Sequence, residues 1–456
     1  MQTTELQKGA LGLIGAATLG VVMLSPAMTL YGNFGAAYAT AGSAAPLAFV
    51  IALLATLPTA CSYALLSAER PEAGSAASWT AFALSRRLAR WVGWMVFLYY
   101  LTNFVLQPVT LGLFFNDLLT AFGLPAGVAT YSLGALACCA LPAFIVYRGI
   151  TPSMKGALGF LLFEALVVAA LCFAVARAAP AMDLRGFRPS AAPASGIFQA
   201  LVFAMLSYCG FDVISTVAEE ARMARRLIPQ ATFLALGAFG ALIIGGVWVL
   251  TFAADPARLH AMVDETNGMP ITAVARTVWG RGSLLVMLTG ISAALGIAIA
   301  TAVGASRVLF AMGREGLAPA RFAELRHSVP ANAMHVIFGA GLCGALLAGF
   351  FAGPYRAYLW WGTTSTFFAM ITFVFVNLSC LALFRDRAWG SLRGFLLYAA
   401  LPALGVVVDL VLLVRCFFIE QWAQGRLGQS AVIFDVACAV LALFALWRGR
   451  AEPVPA

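Results

Sequence analysis

Charge is what this chain has least of. Asp, Glu, Lys and Arg make up 10% of its 456 residues, against roughly a quarter in a soluble globular protein. A water-soluble globule of this length is therefore excluded. Lysine is nearly missing: only Lys8 and Lys155 stand beside 26 arginines. The three histidines fall in loops or at the edges of apolar runs, so none reads as a buried metal ligand or proton relay. The nine cysteines all lie inside apolar segments with no Cys-x-x-Cys spacing, a pattern of small packing residues rather than of disulfides or a metal site. No Ser-His-Asp set, metal-ligand spacing or phosphate loop is present, which speaks against a membrane enzyme and implies no cofactor.

What fills the chain instead is apolar. Hydrophobic residues make up 62% and the mean hydropathy is +0.92. The runs reach the roughly 20 residues that cross a hydrocarbon core and do not alternate, so they predict helices and not a barrel. Twelve spans are expected, near 10–35, 44–67, 91–119, 124–148, 153–178, 197–220, 230–253, 283–312, 335–353, 356–384, 394–417 and 430–448. The first is too long for a signal peptide and lacks a small-residue cleavage site.

Net charge +9 reads as the positive-inside bias rather than as a nucleic-acid surface, because the basic residues cluster in alternate loops. With the N-terminus inside, 19 of the 28 Lys and Arg residues sit on inner loops and helix ends, from Lys8 through Arg148 and Arg226 to Arg448 and Arg450. The expectation is a multi-pass plasma-membrane protein, the inner membrane of a bacterium, with both termini cytoplasmic. Two segments do not span: 69–90, amphipathic and inside, and 255–282, an outer loop long enough for short helices. The latter is either a gate or a plain connector.

The first and sixth spans share a feature. MLSPAMTLYG (23–32) and MLSYCGFDVI (205–214) both carry Met-Leu-Ser and then thin out in bulk, 182 residues apart. That offset would divide a single transmembrane domain, 1–456, into two repeats at 10–178 and 197–384, leaving two further helices over 394–448. Three identities in a row are a slight signal, and the matching interruption midway along the first helix of each half gives it weight. Pro26 lacks a backbone donor and Gly210 relaxes the chain. A break frees backbone groups that lipid cannot satisfy. The half-helix starting near Met28–Thr29 would turn its positive end to the midplane, a seat for a carboxylate, while freed carbonyls suit an ammonium group. The other reading of each break is a packing kink.

Three stretches carry a family resemblance. SYCGFDVISTVAEEARMARRLIP (207–229), SRVLFAMGREGLAPARFAELRHSVPANA (306–333) and AGSAAPLAFVIALLATLPTACSYALLSAERPEAGSA (41–76) resemble the sixth helix and its sequel, the end of the eighth helix, and the second helix of the amino acid–polyamine–organocation (APC) superfamily of secondary transporters. The resemblance implies an all-α membrane fold with a five-plus-five inverted repeat, broken helices 1 and 6, two extra helices and alternating access. It places the substrate at Ser25, Ala27, Met28 and Thr29 of the first break and at Tyr208, Cys209 and Gly210 of the sixth, with Phe211 as an aromatic lid. The chain departs from the family's Gly-x-Gly pattern at Ala27-Met28-Thr29. It departs again where proton-coupled members carry a lysine on the fifth helix, for here Glu164 stands. A mid-membrane carboxyl is costly when ionised, so Glu164 either cycles a proton or is a neutral structural acid.

Other polar residues have two readings each. Asp212 contacts a cationic substrate or faces packed protein. Glu219 and Glu220 pair with arginines such as Arg307 to close an inner gate, or form a solvated helix end. Asn103 and Gln107 share a helix face and line the pocket or bond a neighbouring helix. The expected function is secondary transport of amino acids, with protons or by exchange; the small-molecule substrate and the bilayer are the partners, and sodium coupling lacks an evident cation cage. A polyamine or other organic-cation carrier is the alternative, and a nutrient sensor on the same fold is another.

Overall fold

The computed structural model describes residues 6, 8–179, 183–266 and 269–448, with side chains to 444. Of the expected features, Asn267 and Gly268 of the outer loop and Arg450 lie outside the described residues, as does the side chain of Arg448.

Among the described residues, eleven segments are long and apolar enough to cross a membrane. The first, Leu13–Glu69, has 57 residues, far more than one crossing needs. Gly42, at φ +52, divides it in two, giving twelve membrane helices. They are α1, in two halves, α1a (Leu13–Leu24) and α1b (residues 26–41); α2 (Ala45–Glu69); α3 (Arg86–Ala121); α4 (Val128–Val146); and α5 (Ile150–Ala178). Then come α6, again halved as α6a (Ala194–Tyr208) and α6b (Val213–Thr216); α7 (Ala224–Thr251); α8 (Leu284–Arg314); α9 (Ala331–Ala352); α10 (Pro354–Leu383); α11 (Leu392–Gln421); and α12 (Arg426–Arg448). Among the described residues there is no strand, only two isolated bridges.

Two groups of helices form the core. α1, α2, α6 and α7 pack on one another, and α3, α4, α8 and α9 form a second cluster. α8 is rich in Ala, Gly, Ser and Thr and is buried from Ser292 to Gly313. Such small side chains let α3 approach closely; Gly290, for instance, lies against the Phe114 ring of α3. α5 rests on α1a and α8, while α10 bridges α3 to α11 and α12.

The non-spanning segments adopt short helices. Residues 69–90 hold Ala76–Ala83, anchored by the buried Trp79, whose Nε1 donates to the Arg70 carbonyl at 2.9 Å. The outer loop holds Pro256–Glu265, capped by Asp255, and Ile271–Trp279.

Candidate functional site

The first break is set by a serine–proline pair. Ser25 takes φ 43, ψ 106, a left-handed backbone costly for a non-glycine residue. Pro26 cannot donate to the Val22 carbonyl. It opens α1b as its first residue, where a missing N–H is harmless, and Ser25 Oγ caps the helix by accepting from Met28 N at 3.2 Å. The break therefore falls at Ser25, earlier than the expected Ala27–Thr29. Ala27 and Met28 are already helical, and Thr29 begins a π-helical turn, Thr29–Asn33. The absence of the family's glycines there costs nothing, because no unusual backbone is required at those positions.

The sixth helix breaks where expected. α6a ends at Tyr208, Cys209 is extended, and Gly210 sits at φ +137. A Cβ on Gly210 would lie 2.9 Å from Met23 Cγ and 3.3 Å from Leu24 N, so the two breaks abut. G210A meets both the backbone penalty, about 1–2 kcal/mol, and the α1a backbone. It is expected to lower the thermal-unfolding midpoint in detergent and to abolish uptake, while the same change at Gly237, which has open space, leaves both unchanged.

Facing the first break from α5 is Glu164, fully buried. Its Oε2 accepts from Ser25 Oγ at 2.6 Å and from the Ala27 N–H at 3.0 Å; its Oε1 has no hydrogen-bond partner. A carboxyl thus occupies the positive end of α1b, the seat that helix geometry offers an anion. The Ala27 donor that an unbroken helix would give to Met23 goes to Glu164 instead.

Asp212 is placed differently. Oδ1 accepts from Tyr99 Oη and Gly210 N, both at 3.1 Å, and Oδ2 from Tyr100 Oη at 2.5 Å. It fastens the sixth-helix break to α3, so of its two readings the structure favours packed protein. Phe211 is buried against Tyr63 of α2 and Phe373 of α10, with ring centroids 5.3 and 5.5 Å away. Tyr208 packs on Phe239 of α7, and its hydroxyl is buried without a partner. Gln107 donates to the carbonyl of Asn103 at 2.8 Å and to its side-chain oxygen at 3.3 Å. These two residues bond to one another along α3, and Gln107 Oε1 has no hydrogen-bond partner among the described residues.

Sequence reasoning missed the polar closure beside α1b. Tyr31 and Thr289 hydroxyls meet at 2.6 Å, Tyr358 donates to Asn33 Oδ1 at 2.7 Å, and Asn33 Nδ2 donates to Ser207 Oγ at 2.8 Å. The Tyr358 hydroxyl fits because Gly32 carries no side chain beneath it. An asparagine in an apolar run was the available signal.

The end bearing the N-terminus is closed as well. Arg307 donates to Glu220 from Nε at 3.1 Å and Nη2 at 3.3 Å, both side chains 1% exposed. Leu11 N donates to the Glu220 carbonyl, and Arg222 N to the Leu11 carbonyl. Glu219 accepts from Arg314 at 2.9 and 2.5 Å and from Ala73 N at 3.0 Å. The solvated-helix-end reading is thereby corrected: Glu220 is buried in an ion pair and Glu219 is tied to two other segments. Burial pushes the Glu219 carboxyl up, but the Arg314 and Ala73 hydrogen bonds and the charges of Arg314 and Lys8 outweigh it and hold it below the usual range. A depressed carboxyl stabilises the fold above its unfolded value of about 4.3, and that stability is lost as pH falls through the folded value. E219Q is expected to flatten the acid side of the curve of unfolding temperature against pH; an unchanged acid side contradicts this.

Comparison with known proteins agrees with this architecture. A family model described as "Amino acid permease" matches residues 13–444. The chain is 26% identical to the low-affinity putrescine importer PlaP of Escherichia coli (strain K12) over 417 residues, 88% of this chain and 87% of that protein. It is 26% identical over 423 residues to the branched-chain amino acid permease BcaP of Lactococcus lactis, 86% of each chain. With the vacuolar cationic amino acid transporter 2 of Arabidopsis thaliana it shares 27% over 336 residues, 68% of this chain and 50% of that one.

Proposed function

The chain belongs to the amino acid permease family, and on that premise we propose that it carries a zwitterionic amino acid together with a proton, by alternating access rather than by catalysis. The face bearing the N-terminus is taken as cytoplasmic, from the arginine distribution, and the repeats as 10–178 and 197–384. The observation that carries the reading is Glu164 Oε2 on Ser25 Oγ and Ala27 N.

Ionised, Glu164 fills the anion seat at the start of α1b. A proton added to its free Oε1 neutralises the carboxyl, and the Ala27 N–H becomes available to a substrate carboxylate. Val22 O, which Pro26 cannot serve, lies at the same break to receive the ammonium group. Proton and substrate are thus linked at one place. The Tyr31–Thr289 and Tyr358–Asn33–Ser207 contacts close one side and the Glu220–Arg307 pair the other, an occluded arrangement with both paths shut.

A second reading has its own support. A partnerless buried Glu164 Oε1 would equally accept an amine, and one relative is named a putrescine importer. Uptake into proteoliposomes of a labelled amino-acid pool and of labelled putrescine, with and without an inward proton gradient, separates the two. Gradient-stimulated amino-acid entry is expected. Entry of putrescine alone would transfer the assignment to amines, and entry of neither, even into preloaded vesicles, would overturn it.

A further inference from the structure

A second buried acid lies outside the helix breaks, on α11. Asp409 is fully buried, and its Oδ2 accepts from Thr59 Oγ of α2 at 2.9 Å and from Asn377 Nδ2 of α10 at 3.0 Å. Asn377 Nδ2 also donates to Thr59 Oγ at 2.7 Å, and Asn377 Oδ1 accepts from Ser62 Oγ at 2.6 Å. The donors therefore run one way: Ser62 to Asn377, Asn377 to Thr59, and both Thr59 and Asn377 to Asp409. Asn377 spends both amide protons and its oxygen in this network, and Gly405 of α11 brings the backbone down onto its amide. Asp409 Oδ1, by contrast, has no partner.

No Lys, Arg or His among the described residues forms an ion pair with this carboxyl. The titratable groups that feel its charge are a phenol and a thiol, Tyr63 on α2 and Cys209 at the sixth-helix break. Two opposed influences meet at one residue. The converging donors stabilise a carboxylate on Oδ2, while burial without a paired cation opposes the charge. A bare Oδ1 is where a proton can attach without disturbing the network.

We propose that Asp409 is a second proton-binding site, distinct from Glu164, held by α2, α10 and α11 beside the sixth-helix break. The proton attaches to Oδ1, converting the carboxylate to the acid, and the reverse step releases it to water. Its place gives the site a line to the centre. Thr59, Ser62 and Tyr63 lie within about one turn of α2, and Tyr63 meets Phe211 edge to face with ring centroids 5.3 Å apart. α2 belongs to the cluster of α1, α2, α6 and α7, whereas Asn377 and Asp409 do not. Any shift of that cluster against α10 and α11 must therefore remake the Thr59–Asp409 bond.

Infrared difference spectroscopy of the purified full chain tests this without a transported substrate, so failure of the transport reading leaves it standing or falling by itself. Between mildly acidic and mildly alkaline pH, the protein and its E164Q variant should both lose a protonated-carboxyl C=O band that D409N lacks. T59V, which keeps the acid but removes one donor, should retain the band with a displaced midpoint. A D409N spectrum that keeps the whole pH-dependent signal of the unaltered chain, or a T59V midpoint that does not move, overturns the proposal. If D409N does not fold, the T59V arm alone decides.

Discussion

E164Q is expected to separate exchange from accumulation. The amide keeps the shape of the side chain, and its oxygen can still accept from Ser25 Oγ and Ala27 N, but it can neither carry a proton nor lose one. One unit of pH is worth about 1.4 kcal/mol per proton, so each coupled proton multiplies the accumulation ratio about tenfold per unit of gradient. With the membrane potential clamped, the variant should lose that factor for Glu164 and still exchange substrate between vesicle and medium at a comparable rate. Loss of exchange as well would make Glu164 a structural acid. Full accumulation by E164Q would remove it from coupling altogether.

The second large effect belongs to the ion pair at the N-terminal end. Glu220 and Arg307 are each 1% exposed, and removing one partner strands a charge in a nonpolar setting, at a cost of about 3–5 kcal/mol. R307A and E220A should each unfold far more readily than the native chain. The paired replacement E220L with R307M should recover most of the loss, since a well-packed apolar pair is often as stable as a buried ion pair. The pair also lies between the N-terminal face and the helix breaks, where Cys209 is buried. If it seals that face, alkylation of Cys209 from the face, read by mass spectrometry in the folded variants, should be faster in the E220L/R307M protein. Unchanged labelling would leave the pair a purely structural tie.

Much of this architecture was legible in the chain. The twelve spans follow from lengths of apolar sequence that only helices can satisfy in lipid. The observed helices match those expected within a few residues, apart from the first, which runs on to Ala41, and α3 and α7, which begin earlier, at Arg86 and Ala224. The sixth-helix break was visible at Tyr208-Cys209-Gly210 because glycine supplies the positive φ found there. The first break was misplaced for a local reason. Ser25-Pro26 is a cap followed by an N1 proline, and reading it as a helix start would have put the break at Ser25 directly. Pairing across the fold was not legible. Glu164 meets Ser25 across 139 residues and Tyr358 meets Asn33 across 325, and no local periodicity carries such information. The Asp409 network joins three helices and left no motif in any of them. The burial of Glu220 was hidden too, because a glutamate pair at a helix end looks alike in sequence whether water or an arginine receives it.

The most direct measurement is of protons moving with substrate when no proton gradient is imposed. Vesicles holding a trapped pH dye are given an inward gradient of the amino acid that the uptake assay identifies. If Glu164 links the two, the lumen acidifies as substrate enters, and E164Q takes up substrate with that acidification lost or clearly reduced. Substrate entry without acidification in the native protein, or equal acidification in both, would contradict proton coupling at the first-helix break.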